Sequence, residues 1–170
     1  SLRAEGLEAD IAARTGLRLD PTFSATKIAW MLDAQPGARL RAEMGSVRFG
    51  TVDSWLLWNL SGGQAHATDV TNAARTLLFN LHTMAWDPIL LGMFRVPPEV
   101  LPAVQDTAAD FGQTEPGLLG AAVPIRALIG NQQAALAGQG CVQTGLANCS
   151  YGTGAFALVN AGAAVPHSAH

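Results

Sequence analysis

Charged residues are scarce in this sequence, and what it lacks excludes several classes of partner. Only 14% of the residues are charged, and Lys27 is the single lysine. The basic residues are spread along the chain without a cluster that would follow a nucleic-acid backbone, so no nucleic-acid partner is expected. No apolar run approaches the ~20 residues of a membrane-spanning helix, and we therefore predict no membrane partner.

Cysteine and histidine are also rare, and neither is spaced like a metal site. Cys141 and Cys149 are the only cysteines; we interpret them as free thiols in a reducing cytosol, a disulfide between them being the alternative. The four histidines have no ligand spacing, so no metal site is predicted; they stand at positions 66, 82, 167 and 170. Residues 1–14 are charged and helix-like, without the apolar segment of a signal peptide, which predicts a cytoplasmic location.

The sequence signatures of common catalytic sites are missing too. There is no Walker A phosphate loop and no G-x-G-x-x-G motif after a strand. Ser54 and Ser150 lack the G-x-S-x-G elbow of a hydrolase. Asp53, Asp69 and Asp87 occupy turn or helix-capping positions rather than forming an acid–base pair. The residues taken one by one therefore name no reaction.

The composition that remains is that of a globular domain. With 170 residues, of which 49% are apolar, the chain can bury a core, and its length favours one domain. The low charged fraction fits a piece of a larger protein whose faces are covered, and it fits an Ala-rich enzyme equally well. Helical patterns dominate the first two-thirds and strand patterns the last third, which predicts an α/β or α+β fold.

Apolar spacing and capping residues predict the elements of the first two-thirds. We expect helices at residues 2–14, 24–34, 38–44, 55–60, 88–94 and 97–102. Short strands are expected at residues 47–49 and 65–70, a polar turn at 71–76 and a connector at 105–119. Trp55 and Trp58 are three residues apart on a helix, and we interpret them as core residues. A platform on which a sugar or a base stacks is the alternative.

The stretch from 124 to 160 combines strands, a helix start and a glycine turn. We predict a strand at 124–129, a helix with Asn131 as its N-cap that stops at Gly140, and strands at 146–151 and 155–160. The turn Gly152-Thr153-Gly154 offers backbone amides and a hydroxyl to a phosphate oxygen, and a plain hairpin turn is the alternative. These residues predict a small-molecule site near Asn131, Gln132 and Thr153.

Five segments in order resemble the FGGY carbohydrate kinases, and among them the glycerol kinases. They are FSATKIAWMLD at residues 23–33, FGTVDSWLLW at 49–58, TDVTNAARTLLFN at 68–80, GNQQAALAGQ at 130–139 and SYGTGAF at 150–156. The set spans about residues 15–162, and five ordered blocks are far more specific than any single motif.

This resemblance implies a ribonuclease H-like, actin-type α/β fold with two lobes and a cleft between them. Residues 1–140 would form part of the N-terminal lobe, and residues 141–170 would begin the C-terminal lobe. The implied reaction transfers the γ-phosphoryl group of ATP, with Mg²⁺, to glycerol or a related polyol. Such catalysis depends mainly on positioning and on stabilising charge. The full-length protein is expected to be a homo-oligomer.

The resemblance also assigns roles to individual residues. Asn131 stands at the position of the aspartate that takes the proton from the terminal hydroxyl. Gln132 matches the glutamine that binds polyol hydroxyls, and Phe156 matches an aromatic residue that lines the polyol pocket. Thr22 stands where glycerol kinases have a tyrosine that contacts the substrate. Gly152, Thr153 and Gly154 match the turn that contacts the nucleotide phosphates.

Some of these positions depart from the family pattern. The neutral amide of Asn131 accepts a hydrogen bond but does not take a proton as a carboxylate does. Thr22 replaces the tyrosine, and Ala121 and Ala122 occupy a loop that binds a sugar bisphosphate in some members. The phosphate loop, the Arg–Glu substrate pair and the adenosine-binding lobe of the family are expected outside these 170 residues.

Three hypotheses follow from the resemblance and these departures. The chain is part of an active polyol kinase, or it is part of a divergent paralogue that binds polyol or nucleotide without transfer. As an isolated piece, it is a scaffold without activity, because half of an actin-like cleft does not exclude water.

Overall fold

Helices and short strands alternate in the computed structural model, which describes residues 5–166. A first compact unit ends at Leu128 and begins with four helices: α1 (Glu8–Thr15), α2 (Ser24–Ala34), α3 (Ala38–Glu43) and α4 (Val52–Leu60). It continues with β1 (Ala67–Asp69), α5 (Val70–Ala73), β2 (Phe79–Asn80), β3 (Ala85–Trp86), α6 (Pro88–Phe94), a 3₁₀ turn (Pro98–Val100), β4 (Ala103–Gln105) and α7 (Pro116–Leu119). This mixture of elements confirms the predicted α/β class.

The strands of the first unit pair in two small sheets. β1 runs parallel to β4, with Ala67 opposite Ala103 and Asp69 opposite Gln105. β2 and β3 are antiparallel, and the rings of Phe79 and Trp86 meet edge to face with their centroids 6.0 Å apart. The parallel pair places Asp69 at the carboxyl end of β1, where the chain turns directly into α5.

The main core of the first unit lies between its helices. Ile28 and Leu32 on α2 and Leu90 and Phe94 on α6 lie four residues apart on their helices and are buried in one cluster together with Ile11 of α1. Burying each such side chain contributes about 1.5–3 kcal/mol before entropy is counted. A second, smaller cluster holds Leu57, Ala67 and Phe111. These two clusters hold the main helices of the first unit in place.

The start of α6 follows the capping chemistry that the sequence predicts. The carboxylate of Asp87 accepts hydrogen bonds from the amides of Ile89 and Leu90, and Pro88 lies in the first turn. The same buried carboxylate accepts from Asn80 at 2.7 Å and from Arg14 at 3.0 Å. Asp87 therefore ties α6 to β2 and to α1.

The prediction that Trp55 and Trp58 pack in the core is wrong. Trp55 is 62% exposed and Trp58 is 39% exposed. The helix α4 buries Ser54 and Leu57, which share a face, so Trp55 is turned toward solvent. Trp58 is only partly covered, by an edge contact with His66 at a centroid distance of 6.1 Å.

Other expectations for the first unit also differ from the structure. The helix predicted at residues 97–102 is only the 3₁₀ turn Pro98–Val100, and the connector predicted at 105–119 contains the helix α7 (Pro116–Leu119). Residues 124–129 form no strand, only isolated bridges from Pro124 to Gln113 and from Ala127 to Ala108. Residues 47–49 also form no strand. Residues 71–76 begin inside the helix α5 because Asp69 caps it through the amides of Thr71 and Asn72.

The second unit begins at Ile129 and contains α8 (Asn131–Gly138), β5 (Ala147–Tyr151) and β6 (Ala155–Val159). The two strands form an antiparallel hairpin, with Ala147 opposite Val159 and Tyr151 opposite Ala155. The helix packs against both strands. The helix and hairpin predicted for residues 131–160 are confirmed. The N-cap prediction is wrong, since Gly130 holds the cap position and Asn131 is already helical.

Two further predictions concern the thiols and the chain ends. Cys141 and Cys149 are both free, as predicted. The expected helix start at Leu2 and the histidines 167 and 170 lie outside the described residues. Within the described range, no helix is long and apolar enough to cross a membrane.

Candidate functional site

The polar residues at the start of α8 offer hydrogen-bonding groups that no other described residue uses. Asn131 is exposed, and within residues 5–166 its side chain makes no hydrogen bond. The Oε1 atom of Gln132 is buried and has no hydrogen-bond partner among the described residues. A buried acceptor without a donor is costly, so this oxygen suits a ligand hydroxyl or an ordered water.

The turn between β5 and β6 presents free amides next to an aromatic ring. The amide of Gly152 donates to the carbonyl of Gly154 at 3.0 Å, which closes the turn. Among the described residues, the amides of Thr153 and Gly154 find no acceptor. A Cβ atom at Gly154 would lie 3.0 Å from the ring of Phe156, so the close approach of that ring favours glycine. The turn therefore combines a phosphate-compatible backbone with Phe156, whose side chain is half-exposed.

Thr22 lies in the first unit, in the turn that precedes α2. Its amide donates to the carboxylate of Asp20 at 2.7 Å, and its carbonyl accepts from the ammonium group of Lys27 at 2.6 Å. The hydroxyl of Thr22 is exposed. The structure thus places Thr22 in one unit and the other predicted site residues in the second unit.

The sequence predictions missed two polar residues that the structure brings out. Asn148 on β5 is 6% exposed; its Nδ2 donates to Ser150 at 3.3 Å, but its Oδ1 has no partner among the described residues. Arg75 follows α5 and lies over the ring of Phe23 at 4.9 Å from its centroid. The alternation of side chains along β5 could have indicated Asn148, because Asn148 and Ser150 lie on the same face of the strand. No local signal marked Arg75.

Asp69, the best-buried acid, has a structural role. It accepts hydrogen bonds from the amide and hydroxyl of Thr71, from the amide and side chain of Asn72, and from the hydroxyl of Thr107. Burial alone would raise the pKa of Asp69, but these donors outweigh it and lower the pKa. A carboxylate held this way is not a proton acceptor near neutral pH. The capping role predicted for Asp69 is confirmed.

Asp53 is also held by hydroxyl groups. It accepts hydrogen bonds from Thr51 and from Thr68, the second at 2.6 Å. In the part of the chain that the structure describes, no three histidine, cysteine or acidic side chains are grouped so as to hold a metal ion.

Comparison with known proteins connects this chain to a family. The model of the FGGY family of carbohydrate kinases, N-terminal domain, matches residues 1–138. A glycerol kinase of Alcanivorax borkumensis is 58% identical over 165 residues, which are 97% of this chain and 33% of that protein. A glycerol kinase of Thermus brockianus is 59% identical over 162 residues, 95% of this chain and 33% of that protein.

A solved structure is also similar. The crystal structure of Plasmodium falciparum glycerol kinase with ADP superimposes with a TM-score of 0.84 at 35% identity, over 89% of this chain and 30% of that one. The chain spans about a third of the length of the curated relatives that it matches.

Proposed function

Because the chain belongs to the FGGY family of carbohydrate kinases, we propose that the protein of which it is a part transfers the γ-phosphoryl group of ATP to glycerol, giving glycerol 3-phosphate. The observation that carries this proposal is the 58% and 59% identity to two glycerol kinases across nearly the whole chain. The two matches cover 97% and 95% of the chain.

Gln132 is proposed to bind the polyol. Its buried Oε1 lacks a donor among the described residues, and a glycerol hydroxyl would supply one. Phe156 is proposed to line the polyol pocket with its half-exposed ring, and Thr22 to contact the polyol through its hydroxyl. Each of these groups is available without breaking a bond within the protein.

Gly152, Thr153 and Gly154 are proposed to contact the phosphates of the nucleotide. The donors of this turn fit phosphate oxygens, since two of its amides are free of partners within the described residues. ATP supplies the phosphoryl group, and Mg²⁺ neutralises charge on the phosphates. We assign no Mg²⁺ ligand to this chain.

Asn131 occupies the position where the base is proposed to act. Its exposed amide would accept a hydrogen bond from the attacking hydroxyl and so orient it, but it would not remove the proton. With Asn131 the reaction depends on positioning, and the proton passes to solvent. We therefore expect slow phosphoryl transfer by the full-length protein with Asn131.

The test is an assay of the full-length protein with MgATP and a panel of polyols, with release of ADP as the readout. We expect phosphorylation of glycerol in preference to longer polyols. Calorimetry with glycerol and with ATP runs in parallel. Binding of glycerol without any turnover, in both the wild type and Asn131→Asp, would instead identify a divergent binding paralogue. If neither glycerol nor ATP binds, the proposal is contradicted.

We also propose that the full-length protein is a homo-oligomer of the cytoplasm. The two free thiols support a reducing compartment. Sedimentation of the full-length protein measures the oligomeric state, and a monomer at assay concentrations would contradict that part.

A further inference from the structure

Arg75 is a cation without an anionic partner among the described residues. Within residues 5–166 its guanidinium makes no hydrogen bond and no ion pair; its one interaction is with the face of the Phe23 ring, 4.9 Å away. Arg14, Arg39 and Arg95, by contrast, each pair with a carboxylate. Arg75 remains exposed, so a solute can reach it.

The backbone that carries Arg75 is held firmly. The next residue, Thr76, is fully buried; its hydroxyl donates to the carbonyl of Ala73 at 2.7 Å, and its carbonyl accepts from the amide of Ala25 at 2.9 Å. Leu77 follows with φ at 64°, a left-handed conformation that a leucine adopts only when its surroundings impose it. Arg75 is therefore presented from a fixed point beside the start of α2.

The neighbourhood of Arg75 includes the position assigned to a polyol contact. Phe23, on which the guanidinium lies, directly follows Thr22. A second cation is close to this turn, since Lys27 donates to the carbonyl of Thr22 at 2.6 Å. The turn also contains the carboxylate of Asp20, which accepts a hydrogen bond from the backbone amide of Thr22.

The side chain of Arg75 is exposed but has lost part of its hydration. Partial removal from water lowers the pKa of Arg75, and no carboxylate offsets the effect. A cation that has lost part of its hydration without gaining a counter-charge gains most from binding an anion.

Resting on the proposed glycerol kinase activity, we propose that Arg75 binds the phosphoryl group of the polyol phosphate product, through two parallel N–H donors to phosphate oxygens. The planar fork of a guanidinium matches phosphate in this bidentate way, whereas an ammonium group binds it as a point charge. The cation–π contact with the ring of Phe23 holds the guanidinium in place. The neutral polyol has no group that needs this charge, so Arg75 distinguishes product from substrate.

The test compares two ligands on the full-length protein by calorimetry: glycerol 3-phosphate and glycerol. We expect Arg75→Gln to weaken glycerol 3-phosphate binding by about tenfold to a hundredfold, the usual range for a hydrogen bond to a charged group. Its affinity for glycerol stays at the wild-type value. The matched control is Arg95→Gln, which removes another exposed guanidinium of the same unit and leaves both affinities unchanged.

The outcomes separate this inference from the proposed function. A wild type that binds neither ligand contradicts both. A wild type that binds both ligands, with an Arg75→Gln variant that changes neither affinity or weakens both equally, overturns the inference alone. Circular dichroism checks the fold. If Arg75→Gln does not fold, Arg75→Lys decides, because it keeps the charge without the fork. We then expect a loss of affinity for glycerol 3-phosphate only, and an unchanged affinity for it overturns bidentate binding.

Discussion

At the scale of single residues, Asn131 has the largest consequence for chemistry. It begins α8 with an exposed amide that makes no hydrogen bond within residues 5–166. An amide oxygen accepts a hydrogen bond but does not accept a proton at neutral pH, whereas a carboxylate does both. The first turn of a helix also favours a negative charge, because its free amides form the positive end of the dipole. A carboxylate at position 131 would therefore suit both the helix and the reaction.

We predict that Asn131→Asp raises kcat for glycerol phosphorylation by the full-length protein. A positioned general base contributes about a hundredfold to ten-thousandfold, and this range sets the expected increase. Steady-state kinetics with MgATP and glycerol measure it. The control is Asn59→Asp, which adds the same charge near the end of α4, where the side chain of Asn59 donates to the carbonyl of Trp55 at 2.7 Å. An Asn131→Asp variant no faster than the wild type would contradict the assigned role.

At the scale of elements, helix caps and the hairpin could be predicted from the sequence, but which side chains are buried by other elements could not. The cap of α6 was predicted because Asp87 and Pro88 act within one turn. The hairpin at residues 147–159 followed from strand patterns on either side of a glycine turn. The burial of Trp55 was misjudged because helical spacing does not say which face of α4 is covered. Arg75 and Phe23 are far apart in sequence, and only the fold brings them together.

The candidate site was likewise only partly predictable from the sequence. The sequence located Gln132 and the turn 152–154. It did not show that Oε1 of Gln132 and Oδ1 of Asn148 are buried without a partner among the described residues, because this depends on how α8 packs on the hairpin. The role of each site residue remains a prediction.

The cap of α6 supports a prediction about stability and pH. Burial alone would raise the pKa of Asp87, but Asn80, Arg14 and the amides of the first turn of α6 outweigh it and lower the pKa below its ordinary 3.8. A carboxyl group whose pKa is lower in the folded state stabilises the fold above the unfolded pKa. That contribution is lost as pH falls through the folded pKa.

We therefore expect Asp87→Asn to reduce the free energy of unfolding at pH 7 by about 1–3 kcal/mol, since it removes charge-assisted bonds from a buried cap. The difference from wild type shrinks below pH 4, the region set by the ordinary pKa of 3.8. Urea titrations followed by tryptophan fluorescence measure this for the first unit, because all four tryptophans lie there. The control, Asp33→Asn, breaks exposed ion pairs and costs less than about 1 kcal/mol. A pH-independent difference for Asp87→Asn would contradict the assigned cause.

At the scale of the whole molecule, the five ordered segments carried the most information. The family they indicated is confirmed by the match over residues 1–138, and the ribonuclease H-like, actin-type fold by the likeness to a solved kinase with a TM-score of 0.84. Composition and the pattern of apolar residues predicted only a globular α/β or α+β domain, because many sequences satisfy the same pattern. The lobe boundary predicted at residue 140 remains a prediction. The compact units divide after Leu128.

The isolated 170-residue chain is expected to show no phosphoryl transfer, even as Asn131→Asp. It spans about a third of the length of its relatives, and a cleft formed in part neither excludes water nor holds both substrates. ADP release with MgATP and glycerol measures this, with the full-length Asn131→Asp protein as the positive control. Calorimetry on the same isolated chain checks for residual glycerol binding at Gln132, where Gln132→Leu is the comparison. Turnover by the isolated chain would show that residues 1–170 contain a complete active site.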